Sequence, residues 1–273
     1  MKFIETDRWP GGFFRAAVFS YDDGRIEDIP LVALFNKYSL KATFHLCTPA
    51  FYGCFDFLKD AEFVPVEQIP ELYAGHEVSC HMEHHPFPCK LPDQTVKAEI
   101  TRNRLHLEEL VGYPVRGMSY PFGQYNDRII KDCREAGMEY ARTAAETGEF
   151  YVPDDLMKWD ATTHHARADE ALISRFAEPD HFPHRKLLNI WGHSYELNSD
   201  AAWSHMEQVC KNVSSLGDTW FATYIEIADY LEASRNLKFS AECGSVYNPS
   251  ATDIWISVDR EPVMVPAGKT IRL

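Results

Sequence analysis

Four polar clusters in this 273-residue chain carry side chains suited to hydrolytic chemistry. The first is Ser20-Tyr21-Asp22-Asp23-Gly24, directly after an apolar run. Adjacent carboxylates repel, so two at one point are costly unless a cation or separate roles divide them. The second is His81-Met82-Glu83-His84-His85-Pro86. Histidines at i and i+4 of a helical turn face the same way, and neutral imidazole is a common ligand for zinc and related ions. Glu83 is not adjacent to His81, so the HExxH zincin pattern is absent. The third, Tyr120-Pro121-Phe122-Gly123, is a turn able to offer a backbone N–H to a developing oxyanion. The fourth is Leu187-Leu188-Asn189-Ile190-Trp191-Gly192, an apolar run ending in His193. Separately, each has an ordinary explanation: a solvated glycine turn, an incidental His-rich loop, a Pro-Gly turn, a structural histidine. Together they offer an Asp/His ligand set for one divalent metal, with a second carboxylate and a further imidazole beside it.

The elements between the clusters say how they could meet. Short β-rich runs fall at 16–21, 42–46, 77–81, 115–120, 140–142, 157–161, 187–191 and 220–223. Helical patterns fall between or after them at 27–38, 92–111, 126–136, 201–216 and 225–234. In the helix over 92–111 the apolar spacing is Val96, Ile100, Leu105 and Leu110, and Gly137 is placed to stop the helix before it. This alternation predicts a parallel sheet, closed or nearly closed into a barrel. Working residues of such barrels gather at the C-terminal ends of strands, where all four clusters lie. From residue 236 the chain changes character. Strand-like runs at 245–247, 253–258 and 263–265 are split by Asn248-Pro249-Ser250 and Ala267-Gly268, which predicts a small antiparallel β appendage over 236–273 on a barrel of 1–235.

Composition sets the outer limits. With 45% hydrophobic and 25% charged residues the chain is globular. A net charge of −14 disfavours nucleic acid and anionic membranes as partners, since both attract cations. The N-terminus has no apolar run of signal-peptide length, so the expected location is cytoplasmic. The seven cysteines are scattered without a CxxC pair, which disfavours a zinc knuckle and fits free thiols in a reducing compartment.

The segments SYDDG, GHEVSCHMEHHP, YPFG and LLNIWGH, in that order and spacing, resemble the polysaccharide deacetylase (NodB-homology, carbohydrate esterase family 4) superfamily over roughly residues 14–235. The resemblance implies a distorted (β/α) barrel of about seven strands that removes N- or O-acyl groups from sugars. It implies Asp22 as base, Asp23, His81 and His85 as ligands of one divalent ion, and His193 as general acid. Zinc leads for that ion, with cobalt, nickel, manganese or iron also suited. It places the Tyr120–Phe122 turn at the oxyanion, through the Phe122 N–H. Two positions depart from the family pattern: Met82 follows the first histidine ligand, and Ser119 stands where an arginine often orients the base. Arg142, at the end of the next strand, is the candidate replacement, whereas Arg116 lies at the start of its strand. The nearest Asp-Trp element is Trp159-Asp160, which makes Asp160 the candidate partner of His193. His164 or His165 is expected to face the substrate, with Trp191 and Tyr195 flanking the acid and able to stack on a sugar. Substrate contacts are expected in the loops 48–70 and 146–155. The expected function is a metal-dependent deacetylase of an N-acetylated sugar or related small amide, with a small-molecule or saccharide partner. A cyclic amide or imide hydrolase (allantoinase-like) of the same fold, or an inactive carbohydrate-binding barrel, are the alternatives.

Overall fold

The computed structural model describes residues 2–48, 61–181 and 183–273. Residues 49–60 of the first expected substrate loop, Cys54 among them, lie outside the described residues. In chain order the barrel elements begin with β1 (Arg15–Asp22), α1 (Asp28–Lys37), β2 (Ala42–Leu46), β3 (Glu77–Cys80), α2 (Asp93–Val111) and β4 (Gly117–Ser119). There follow α3 (Asp127–Glu135), β5 (Tyr140–Glu146), β6 (Trp159–Ala161), β7 (Thr163–His164) and α4 (Glu170–Ala177). The barrel ends with β8 (Lys186–His193), α5 (Asp200–Ser214), β9 (Thr219–Phe221) and α6 (Tyr224–Arg235).

The sheet runs β6-β5-β4-β3-β2-β1-β8-β7, with every pairing parallel. The two ends of this path, β6 and β7, are separated in the chain by Thr162 alone, whose N–H donates to Asn189 O at 2.9 Å. The sheet is therefore nearly closed, as a distorted (β/α) barrel. Its path has eight strands, in keeping with the barrel of about seven that the family resemblance implies; two-residue β7 is the one strand of the path that left no run in the sequence. Strand β9 pairs with the first half of β1 and β2 with its second half, both on the side opposite β8.

β1 reads as an almost continuous apolar run because it is buried on both faces. Its alternation then decides where chemistry can occur. Ala17, Phe19 and Tyr21 pack outward against Leu31 and Phe35 of α1. Ala16 and Val18 point to the other face, among Tyr140, Trp159 and Tyr224. Ser20 and Asp22 continue that second row, so the period of two carries it from apolar at the start of the strand to polar at its end.

Around the barrel, α2 buries Val96, Ile100, Asn103 and Leu107, while Leu105 is 60% exposed. The predicted stripe through Leu105 is thus corrected: a 3.6-residue period from Val96 runs through Asn103 to Leu107. Gly137, with φ +82°, follows α3 as expected. Helix α4 was not foreseen from the sequence; Asp169 starts it by accepting the Leu172 N–H. No helix among the described residues is long and apolar enough to cross a membrane.

The tail forms two three-stranded antiparallel arrangements. One contains β10 (Lys238–Phe239), β11 (Ser245–Tyr247) and the last strand, Thr270–Arg272. In the other, β12 (Ile254–Val258) lies between β13 (Glu261–Val265) and an N-terminal strand, Ile4–Glu5. Val246, Ile254, Ile256 and Val265 join the apolar cluster of Trp9, Leu187, Ile227 and Leu231, which seats the tail on α6.

Glu77 joins four of these elements. Its Oε2 accepts from Thr43 Oγ1 (2.8 Å) and the Ile225 N–H (2.9 Å), and its Oε1 accepts from Tyr140 Oη (2.8 Å). Burial pushes its carboxyl up to about 7 from the ordinary 4.5. A carboxyl raised on folding binds more protons in the folded state between those values, so its stabilising contribution is complete below about pH 4.5 and lost as pH rises through 7. Urea midpoints should fall between pH 5 and 8, and Glu77→Gln should flatten that slope. Glu77→Ala should cost about 3 kcal/mol at pH 5, because three donors lose their acceptor, and less at pH 8, where the carboxyl's own contribution is already lost.

Candidate metal centre and catalytic pocket

The C-terminal ends of β1, β3, β4, β5 and β8 open on one cavity of about 690 Å³. Asp22, Asp23, His81, His85, Arg142 and His193 all line it. Asp22 ends β1 in register with His45 of β2 and His193 of β8. Arg142 Nη2 donates to Asp22 Oδ2, and Ser119 Oγ donates to Oδ1 at 3.2 Å. Burial works to raise the Asp22 pKa, but the Arg142 guanidinium and the nearby imidazoles hold it well below the usual carboxylate range. Arg142 is itself buried; its Nη1 donates to Thr143 O (2.8 Å) and its Cζ lies 4.6 Å over the Trp191 ring. Arg116 faces away from the cavity and binds Asp229 and Glu139.

Asp23 leaves the strand with φ +81°, while its N–H donates to His45 O at 3.0 Å. This left-handed residue turns its side chain away from that of Asp22. Asp23 Oδ1 is shielded from solvent and has no hydrogen-bond partner. It stands 3.5 Å from His81 Nε2 and 3.7 Å from His85 Nε2. The His81 ring is set from behind, with Nδ1 3.0 Å from Ser119 O and 2.6 Å from Ser119 Oγ. An Nδ1–H donated to that carbonyl leaves the Nε2 lone pair facing Asp23. Burial lowers the pKa of both His81 and His85, keeping them in the neutral form that ligates.

The expected helical turn from His81 to His85 is not present; the segment is a loop. Met82 (φ +61°) and His85 (φ +49°) fold it back, and the two rings meet at 4.7 Å with an interplanar angle of 62°. Met82 packs in the core. Asn103, on the buried stripe of α2, fixes the loop by accepting from the His81 N–H (2.9 Å) and donating to Leu46 O (3.0 Å).

These residues fit one divalent cation. The Asp23, His81 and His85 donor atoms lie within 4.8 Å of one another. Ligands about 2.0–2.1 Å from a tetrahedral ion stand roughly 3.4 Å apart, close to the separations around Asp23 Oδ1. An orphaned carboxylate oxygen facing two neutral imidazoles is otherwise an uncompensated buried charge.

His193 ends β8. Its N–H donates to Glu196 Oε2 (2.9 Å), and its Nδ1 lies 3.3 Å from the same oxygen. Burial alone would lower the His193 pKa, but the Glu196, Asp22 and Asp23 carboxylates prevail and raise it. Glu196 also binds His164 Nε2 at 2.8 Å. The expected pairing of Asp160 with His193 is corrected. The inward residues of β6 are Trp159 and Ala161, so Asp160 points outward and its carboxylate binds Thr143 Oγ1. His164 sits beside Glu196 and the edge of Trp191, while His165 stacks on Tyr21.

Trp191, Tyr195, Tyr120 and Phe122 provide the cavity's aromatic wall. The Tyr120 hydroxyl donates to Met157 O at 3.0 Å. Phe122 has φ +56° and stacks on Phe87 at 3.9 Å with the His85 ring edge-on at 4.4 Å. Gly123 is required beside it: φ is +64°, and an added Cβ would come within 2.6 Å of Ala144 Cβ. Sequence reasoning missed Asn103 and Glu196. Their signals were a polar residue on an apolar helical stripe and a carboxylate three residues after the terminal histidine.

Residues 14–141 match the polysaccharide deacetylase family. No curated protein matches the chain. Among solved structures, a Mycobacterium smegmatis protein classed with polysaccharide deacetylases is similar at 17% identity and a TM-score of 0.59, over 83% of this chain and 93% of that one. A family 4 acetyl xylan esterase from Clostridium thermocellum, in complex with a cobalt ion, is 15% identical with a TM-score of 0.53, over 78% and 90%. A family 4 carbohydrate esterase from Streptomyces lividans, in complex with acetate, is 14% identical with a TM-score of 0.50, over 76% and 92%. Residues 14–141 thus match the polysaccharide deacetylase family, on a barrel whose fold is that of the solved deacetylase and esterase structures above.

Proposed function

We propose that the chain is a metal-dependent hydrolase that removes an acetyl group from an N-acetylated sugar or a related small amide. The observation that carries this reading is the convergence on one cavity of a charged carboxylate, an Asp-His-His donor triangle and a carboxylate-backed histidine. Asp23, His81 and His85 would hold the ion, zinc being the first candidate. When bound, that ion supplies Lewis acidity toward an acyl carbonyl and acidifies a water. Asp22, kept ionised by Arg142, accepts the proton of the attacking water. The Phe122 N–H offers a hydrogen bond to the oxyanion. His193, whose pKa the neighbouring carboxylates raise, donates its proton to the departing amine. Trp191 and Tyr120 give the acyl group an apolar wall.

The test is to measure metal content and acetate release from N-acetylated sugars and small amides, before and after chelation. Acetate release that chelation abolishes and added metal restores is the expected result. Ring opening of cyclic amides without acetate release would move the chain to the cyclic-amide class, and binding of acetylated sugars without turnover would make it a lectin-like barrel.

Glu196 is the positioning residue for His193 in this reading. Glu196→Gln should lower kcat roughly ten- to hundredfold, the scale on which such partners tune a working imidazole. It should also lower the His193 pKa, since a carboxylate that raises it is gone. The acid must be protonated, so the alkaline limb of the kcat profile should move to lower pH. A lower kcat with an unmoved limb would leave Glu196 a purely structural role.

A further inference from the structure

The cavity wall holds a second guanidinium that the mechanism does not use. Arg25 lies two residues beyond Asp23, after the turn at Gly24 (φ +69°), and lines the same cavity. Its backbone is fixed by a bridge to Phe63, with Val64 N–H donating to Gly24 O (3.0 Å) and Ile26 N–H to Glu62 O (3.1 Å). Its side chain is held as firmly. Nε donates to Glu62 O at 3.1 Å, and Cζ lies 4.9 Å from the Tyr195 ring centre and 5.1 Å from that of Phe63. Arg142, the other guanidinium on this wall, is taken up by Asp22. Arg25 has no carboxylate partner among the described residues, although the chain has 41 acidic residues against 27 basic ones.

A guanidinium braced by two rings and one carbonyl, with no carboxylate paired to its Nη groups among the described residues, is a preorganised fork for a planar or tetrahedral anion. We infer that Arg25 binds an anionic group, a carboxylate or phosphate, on the same molecule that carries the acyl amide. This rests on the hydrolase reading only for the amide; the anion subsite stands on Arg25 alone. It narrows the substrate class to acetylated acids and acetylated sugar phosphates, in spite of the chain's acidic balance.

Two matched pairs test it: N-acetylglycine against N-acetylglycinamide, and N-acetylglucosamine 6-phosphate against N-acetylglucosamine. Binding is measured by calorimetry on the full chain carrying His193→Gln, which slows turnover and leaves Arg142 paired. Turnover is followed in the wild type. The anionic member of at least one pair should bind about tenfold or more tightly than its neutral counterpart, the scale of one charge-assisted hydrogen bond. Arg25→Gln should collapse that preference and Arg25→Lys keep part of it. The pair that responds tells carboxylate from phosphate. No preference in either pair, a preference that survives Arg25→Gln, or an equal loss for charged and neutral members would overturn the proposal. Absence of acetate release with the preference intact would remove the hydrolase reading and leave the subsite standing.

Discussion

Asp22→Asn should reduce kcat/KM for acetate release by about a thousandfold, within the range that a positioned base contributes. Asparagine keeps the shape and an acceptor for Arg142 but cannot take a proton. The variant should fold, with a stability cost of about 1–3 kcal/mol for the weakened buried ion pair. Arg142→Met should be worse for stability, since it leaves the Asp22 carboxylate buried with only the Ser119 hydroxyl as a hydrogen-bond donor. Combining the two should recover part of that loss, because a buried pair removed as a whole costs less than one half removed. It should recover no turnover. This separates proton transfer from structure: thermal melts follow the pair, and rates follow the carboxylate. Turnover of Asp22→Asn within tenfold of the wild type would mean that another group is the base.

The second large effect concerns the donor triangle. His85→Ala should weaken zinc binding about a hundredfold or more, since a structural-strength zinc site of roughly 10 kcal/mol divides among few ligands. His85 packs edge-on against Phe122 on the cavity wall, so its loss should cost the core little. Calorimetry on the metal-free chain gives the affinity, and metal content after dialysis gives a check independent of activity. The wild-type site should also lose metal as pH falls. Burial raises the Asp23 pKa, so protons compete for its carboxylate at a higher pH than for an exposed aspartate. Equal metal affinity in His85→Ala would remove that histidine from the ligand set.

Much of this arrangement could be read from the sequence, for a reason rooted in parallel sheets. Their strands are apolar runs, so polar residues at the ends of β1, β3 and β8 stand out, and the fold gathers those ends. Asp22, Asp23, His81, His85 and His193 were therefore visible together. What could not be read depended on side-chain direction over very short elements. β6 has three residues, too few to show which face Asp160 takes. The loop after β3 holds two residues in the left-handed region, which no hydrophobic pattern encodes. Glu196 reaches His193 through a tight turn that follows the strand, and no pattern in the sequence distinguishes it from Asp160, which turns to Thr143 instead.

The position of β1 has a further consequence, for the order in which this protein can fold. β1 ends at Asp22 and hands the chain to Asp23, and its neighbours along one whole edge and half of the other are β8 and β9. Both are synthesised more than 160 residues after it, and the Ile4–Glu5 strand waits longer still for β12. A nascent chain emerging from the ribosome can therefore pair the end of β1 with β2 early, while the rest of that edge stays open until β9 has emerged. Such long-range closure slows folding and exposes an apolar edge to aggregation. Chaperone dependence during expression, and abrupt rather than gradual loss of the folded state on shortening the chain into β8, are the results to expect.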